Sequence, residues 1–259
     1  MAPEVAEAWR VWLERLERGP VTLLGRVAPH RGLHERSLMA GALELADGAI
    51  ARGPTAVPMS GLPPSRMPSV AAGAGERLDL TLASIRRVRA LIKVMKGEQR
   101  RVIVVGAGND DISATLAGDG AQVIACAEDV MKLAFAPRTA VLAHPHVGSG
   151  RLRAVMGVLR RRFPDGDLVL MDTRDPELLA REKAIDQSAR SLSRLVVLGD
   201  AALDVSVVSI FEAARWAGVE AHIATTPAEA LALSGPQAGL ACGLFTPAEE
   251  AAACHEGMG

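Results

Sequence analysis

Tyrosine is absent from the 259 residues, and the 3% of aromatic side chains are tryptophan and phenylalanine alone. So few rings argue against a base-stacking surface of the single-strand-binding kind, and the Tyr-Lys pair of one large dehydrogenase group is removed outright. Cysteine is scarce too. Cys126, Cys242 and Cys254 are too scattered for a disulfide framework and show no CxxC spacing for zinc, so reduced, buried thiols and no metal site are expected. No sign of charge dominates: 29 basic and 30 acidic residues leave a net charge of −1, and composition builds in no global attraction to nucleic acid or anionic lipid. No stretch approaches the about 18 uncharged apolar residues of a membrane span. The amino terminus, MAPEVAEAWRVWLERLERG, lacks the apolar run of a signal peptide. These absences together lead to the expectation of a cytoplasmic protein with neither membrane nor nucleic acid as partner.

What is present is ample core material, 49% hydrophobic residues, in an ordered pattern. Residues 3–17 place Val5, Ala8, Trp9, Trp12, Leu13 and Leu16 at helical spacing before Gly19-Pro20 stops the run. A second helix is expected over 34–51, with Leu38, Leu43, Leu45 and Ile50 on its buried side. Residues 53–75 carry five prolines among several glycines, which forbids regular structure over most of that length and marks a long loop, either linker or lid. Helical patterning resumes over 76–96. Beyond it, RVIVVGAG, QVIACAE, TAVLAHP, DLVLMDT, RLVVLGD, EAHIATT and AGLACGLF alternate with helical stretches, which implies an α/β fold with a mostly parallel sheet and helices on both faces. No internal repeat is apparent. The expected architecture is a three-layer, Rossmann-like sheet over 76–259, preceded by an N-terminal helical extension and Pro/Gly-rich loop over 1–75 that could act as lid or oligomerisation element.

The turn after Val102-Ile103-Val104-Val105 is the most informative segment. Gly106-Ala107-Gly108 lets the backbone bend toward a helix and lets a ligand approach without a β-carbon in the way. In the dinucleotide pattern GxGxxG the third glycine would stand at Asp111. Asp110 and Asp111 at the helix start would compete with a pyrophosphate, which counts against NAD. A positively charged ligand without phosphate suits such a turn better. Glu128 stands 22 positions after Gly106, where an acidic residue can accept two hydrogen bonds from ribose hydroxyls, and Asp129 is its neighbouring alternative.

On VIVVGAGNDDIS, on Glu128, on DGDLVLMDT and on the closing order of strands, the chain resembles the class I S-adenosylmethionine-dependent methyltransferases over residues 86–245. The resemblance implies S-adenosylmethionine as cofactor, held by Gly106, Ala107, Gly108, Asp110, Glu128 and Asp129 with His144 near the adenine. It also implies an antiparallel final strand pair. It departs from the family at Val104-Val105 and at Asn109-Asp110.

Chemistry in such a site is carried chiefly by alignment of donor and acceptor. Asp172, at the end of DLVLMD, faces the crevice as substrate-orienting group or base, or it caps the next helix. His146 is the second catalytic candidate; with His144 it could supply a base or two metal ligands, but no third ligand stands at a motif spacing. Ser149 lacks a GxSxG context, and Asp200 lines the substrate side or caps a helix. The methyl acceptor would be a small molecule or peptide, and the N-terminal helices, with Trp9 and Trp12, would pack on the core domain or form a homodimer. Two other readings stand beside this one: an NAD(P)-dependent oxidoreductase, and a non-catalytic binding or assembly subunit.

Overall fold

The computed structural model describes the chain except for residues 20, 25, 29, 45–53, 62–75, 107–109 and 259. Helix α1 (Pro3–Leu16) forms because Pro3 occupies its first turn, where a missing N–H costs nothing. Its inward face carries Val5, Trp12 and Leu16, while Arg10 pairs with Glu7 and Glu14 outside. Trp12 is fully buried and donates from Nε1 to Ser37 Oγ at 2.8 Å, which places it in the chain's own core.

Three sheets follow. The first contains β1 (Val21–Leu23), β2 (Ala42–Glu44), β3 (Thr55–Val57) and β4 (Arg77–Asp79) in the order β2-β1-β3-β4. The second, β5 (Arg101–Val105), β6 (Gln122–Ile124), β7 (Arg138–Ala143) and β8 (Asp167–Met171), runs β6-β5-β7-β8. The third, β9 (Arg194–Leu198), β10 (Glu220–Ala224) and β11 (Ala238–Cys242), runs β10-β9-β11. Every described pair is parallel, so each connection crosses over. In each sheet the first strand lies between the second and the third, so one winding occurs three times although no repeat is legible in the residues.

Helix α2 (Arg31–Met39) connects β1 to β2, α4 (Asp111–Gly118) connects β5 to β6, and α6 (Ser149–Arg162) connects β7 to β8. Helix α8 (Val205–Trp216) and α9 (Pro227–Leu233) serve the third sheet, α3 (Ala83–Gly97) and α7 (Pro176–Ser188) carry the chain between sheets, and α5 (Ala127–Val130) and α10 (Ala248–Met258) complete the order. One hydrophobic cluster draws on all three sheets, with Leu23 and Ala56, Val102 and Ala140, and Leu195 and Val197. Ile85, Val88 and Ile92 of α3 are fully buried in it, each contributing about 1.5–3 kcal/mol.

The α/β class with parallel sheets is as expected, but five expectations change. The amino-terminal 75 residues are not a helical extension: β1, β2 and β3 belong there, and β4 pairs with β3 across the expected boundary at residue 75. The helix expected over 34–51 ends at Met39 and gives way to β2; residues 45–51 lie outside the described residues, as does most of the expected loop. That loop contains β3 between Pro54 and Pro58, too short for a pattern to register. The helix expected from residue 76 starts at Ala83, because Leu78, Leu80 and Leu82 repeat with the period of two that a strand requires. Finally, β10 and β11 both run parallel to β9, so the antiparallel closing pair is absent from the described residues.

Candidate functional site

In open parallel sheets ligands sit outside the carboxyl ends of the strands where the winding reverses. Here that is the crevice between first and third strands. In the second sheet Gly106 follows β5 and His144 follows β7, and the two are in contact: a β-carbon on Gly106 would lie 3.3 Å from His144 Cβ and 3.2 Å from Ser113 Oγ. The absent β-carbon leaves room for the protein's own His144 and Ser113 side chains at the strand end.

Asp110 caps α4, accepting from Ser113 N at 2.9 Å and Ser113 Oγ at 2.6 Å. The third interaction is with His144. The His146 N–H donates to His144 Nδ1 at 3.0 Å, which places the ring proton on Nε2, 3.3 Å from Asp110 Oδ1. Burial would raise the Asp110 pKa, but the bonds from His144 and Ser113 outweigh it and hold the carboxyl well below the usual range. With both ring nitrogens engaged, His144 serves as a lock between strand ends rather than as a base. His146 differs. Burial pushes its imidazole down to about 3, it is therefore neutral, and its Nε2 is buried without a partner among the described residues.

The ring of His146 meets Phe245 edge-on, with centroids 5.5 Å apart, and its carbonyl accepts from Ser209 Oγ at 2.7 Å. These contacts join the second sheet's crevice to the third's. There Asp204 caps α8, accepting from Ser206 N at 2.9 Å, Ser206 Oγ at 2.6 Å and Phe245 N at 3.3 Å. Its carboxyl is enclosed, and desolvation raises the pKa to about 6 against the lowering effect of those bonds. Gly243 is required here, since a β-carbon would stand 2.6 Å from Asp204 Oδ2 and from Val207 Cγ2.

Helix amino termini are ready anion sites, yet in this part of the molecule the chain's own carboxylates occupy them. Asp110 takes that of α4, Asp175 that of α7 and Asp204 that of α8. Glu182 accepts from Ser149 N at 2.9 Å at the start of α6, and Glu4 from Ser84 N at 3.1 Å at the start of α3.

Of the residues singled out in the sequence, Gly106, Asp110, His144 and His146 come together; Ala107 and Gly108 lie outside the described residues. Glu128 is exposed in α5, which follows β6 on the edge of the second sheet, and its hydrogen bond with Cys126 lowers its pKa. Asp129 binds Lys132 Nζ at 2.8 Å and accepts from Ala125 N at 3.0 Å. Asp172 pairs with Arg174 at 2.6 Å just past the outer strand β8, and that bond lowers its pKa. Sequence reasoning missed Ser113, Asp204, Ser209 and Phe245. The Asp-x-Ser pattern at 204–206 is a helix-start signal, but nothing local announces that Phe245 meets His146.

All cysteines and histidines are among the described residues. Cys126 precedes α5, Cys242 ends β11, and Cys254 is buried in α10 against Val196, Leu198, Ala224 and Ala230. No group of three or more His, Cys, Asp or Glu among the described residues could hold a metal ion. No described helix is long and apolar enough to cross a membrane.

No family model matches the chain, and no curated protein matches it. Solved structures do. The E-1-hydroxy-2-methyl-but-2-enyl-4-diphosphate reductase from Plasmodium falciparum aligns with a TM-score of 0.82 at 14% identity, over 96% of this chain and 82% of its own. An (E)-4-hydroxy-3-methyl-but-2-enyl diphosphate reductase, the terminal enzyme of the non-mevalonate pathway, aligns with a TM-score of 0.67 at 14% identity, over 100% and 95%. At that identity the likeness establishes the fold. It overturns the methyltransferase resemblance and, with it, S-adenosylmethionine as cofactor; the NAD(P) alternative does not match these neighbours either. The misleading signal was the strand, glycine turn and helix around Gly106, which any crevice of this winding produces.

Proposed function

We propose that this chain is a redox-silent member of the fold of those diphosphate reductases, working by recognition of a small molecule rather than by reducing one. Reduction of a diphosphate ester needs an electron source and a cradle for the diphosphate. Iron–sulfur centres are held by cysteine thiolates, and the observation that carries the reading is that the three thiols do not converge: Cys126 stands beyond β6 of the second sheet, whereas Cys242 and Cys254 share a hydrophobic cluster of the third, and no three ligand residues come together among the described residues. These residues do not fit such a centre. The carboxylates at the starts of α3, α4, α6, α7 and α8 likewise disfavour a diphosphate or a phosphate-bearing electron carrier there. The free thiols fit a reducing, cytoplasmic compartment.

The test is anaerobic incubation with ferrous iron and sulfide, followed by iron analysis, visible absorbance and electron uptake from reduced viologen in the presence of hydroxymethylbutenyl diphosphate. Iron well below one per chain and no substrate-dependent uptake are expected. A stable visible chromophore, or uptake that depends on the diphosphate, would overturn the proposal.

A further inference from the structure

We infer that the cleft between α2, the carboxyl ends of β9 and β10, and α10 is a binding site for a small aliphatic diamine in its doubly protonated form. The cleft encloses about 440 Å³, within the range of small-molecule sites. Its walls bring three carboxylates together from three elements: Glu35 on α2, Asp200 after β9 and Glu250 on α10. Arg31 lines the cleft with them, Arg36 reaches Glu250 at 3.8 Å but is offset by its ion pair with Glu249, and His30 is kept neutral by burial, which lowers its pKa. Three negative charges against one positive leave −2, matched by two ammonium groups.

A second observation, independent of the acidic cluster, points to an occupant. His30 is 6% exposed and lines the cleft, yet its Nδ1 is buried without a hydrogen bond among the described residues. Its Nε2 faces Glu250 Oε2 across 3.8 Å, and Glu250 Oε1 lies 3.8 Å from Arg36, both beyond hydrogen-bond reach. Asp200 accepts from Ala202 N at 3.1 Å through one oxygen; the other accepts nothing among the described residues. An imidazole that deeply buried ordinarily has a partner. An ammonium carries three donors and no acceptor, which suits a site of open carboxylate oxygens and a neutral imidazole. The Thr226 hydroxyl accepts from Glu229 N at 3.2 Å and keeps a second lone pair for an ammonium N–H. A metal ion fits poorly, because no group of ligands among the described residues could hold one.

The inference rests on the recognition role proposed above, and its experiment is separate. The full chain is titrated calorimetrically at pH 7.5 and low salt with 1,4-diaminobutane, with inorganic pyrophosphate and magnesium chloride as controls. Saturable one-site binding of the diamine is expected, weakened about tenfold or more in both Asp200→Asn and Glu250→Gln, since each removes a charged partner while keeping an acceptor oxygen. Thermal melts of both variants matching the parent chain show that the loss is local. No saturable heat with the diamine, binding unchanged in both variants, or magnesium competing for the same site would overturn the inference. Failure of diamine binding leaves the iron and sulfide result untouched, whereas a reconstituted cluster would sink the redox-silent reading without altering the diamine isotherm of the untreated protein.

Discussion

Replacing Asp204 by Asn should remove a pH dependence of stability whose size follows from the enclosure of that carboxyl. Its pKa stands at about 6 in the fold, against about 3.9 in an unfolded chain, and at 1.36 kcal/mol per unit the difference is about 3 kcal/mol. The sign follows from proton counting. Below about pH 4 both states are protonated and stability is complete; between about pH 4 and 6 the unfolded chain releases its proton while the folded one keeps it, so stability falls as pH rises and levels off above 6. Asp110 works in the opposite direction, since its pKa is held down: its contribution is present above about pH 4 and lost at lower pH, outside the window in which Asp204 titrates. Urea unfolding of the parent chain and Asp204→Asn at half-unit steps from pH 4 to 7 isolates the difference. The Asn amide will face the Phe245 N–H that Asp204 Oδ2 now accepts, so the variant should be less stable throughout; the readout is the slope. Parallel profiles for the two proteins would refute the assignment of a buried, neutral-leaning Asp204.

Two further substitutions probe the same strand ends. Asp110→Ala removes the cap of α4 and leaves the His144 Nε2–H and the Ser113 hydroxyl without their acceptor, a loss of about 3 kcal/mol or more visible as a lower urea midpoint; a loss under about 1 kcal/mol, the low end for a cap, would show that the Asp110–His144 lock is not formed. Gly243→Ala forces a methyl group into the space between Asp204 and Val207 and should destabilise by about 1–3 kcal/mol, read in a thermal melt; an unchanged melt would mean that β11 ends farther from α8 than the structure places it.

The periodic segments were legible because their physics is local. Val102 to Val105 had to be a buried strand, and α1 and α3 declared their inward faces through Trp12 and through Ile85, Val88 and Ile92. Short strands were not legible: β3 is three residues between prolines, and Leu78-x-Leu80-x-Leu82 reads as either period when cut out of context. Sheet membership was hidden more deeply, since the pairing of β4 with β3 instead of β5 depends on long-range packing. At the crevice, Asp110, His144 and His146 were visible as residue types at strand ends, but not that the first two satisfy each other. Glu128 misled because its spacing from Gly106 was right for a ribose acid, a spacing that any strand–turn–helix–strand unit reproduces, while in the fold it is exposed in α5 and engaged with Cys126.

The uniform strand direction also bears on how the chain reaches its fold. With every described pair parallel, no hairpin closes between neighbours in the chain; the β5–β7 ladder sets Arg101 beside Thr139, so 38 residues must be gathered before that first rung forms. Such non-local closure slows folding. Three windings of the same kind, one after another along the chain, make three such searches, and a chain emerging from the ribosome can complete the first before the third has been synthesised.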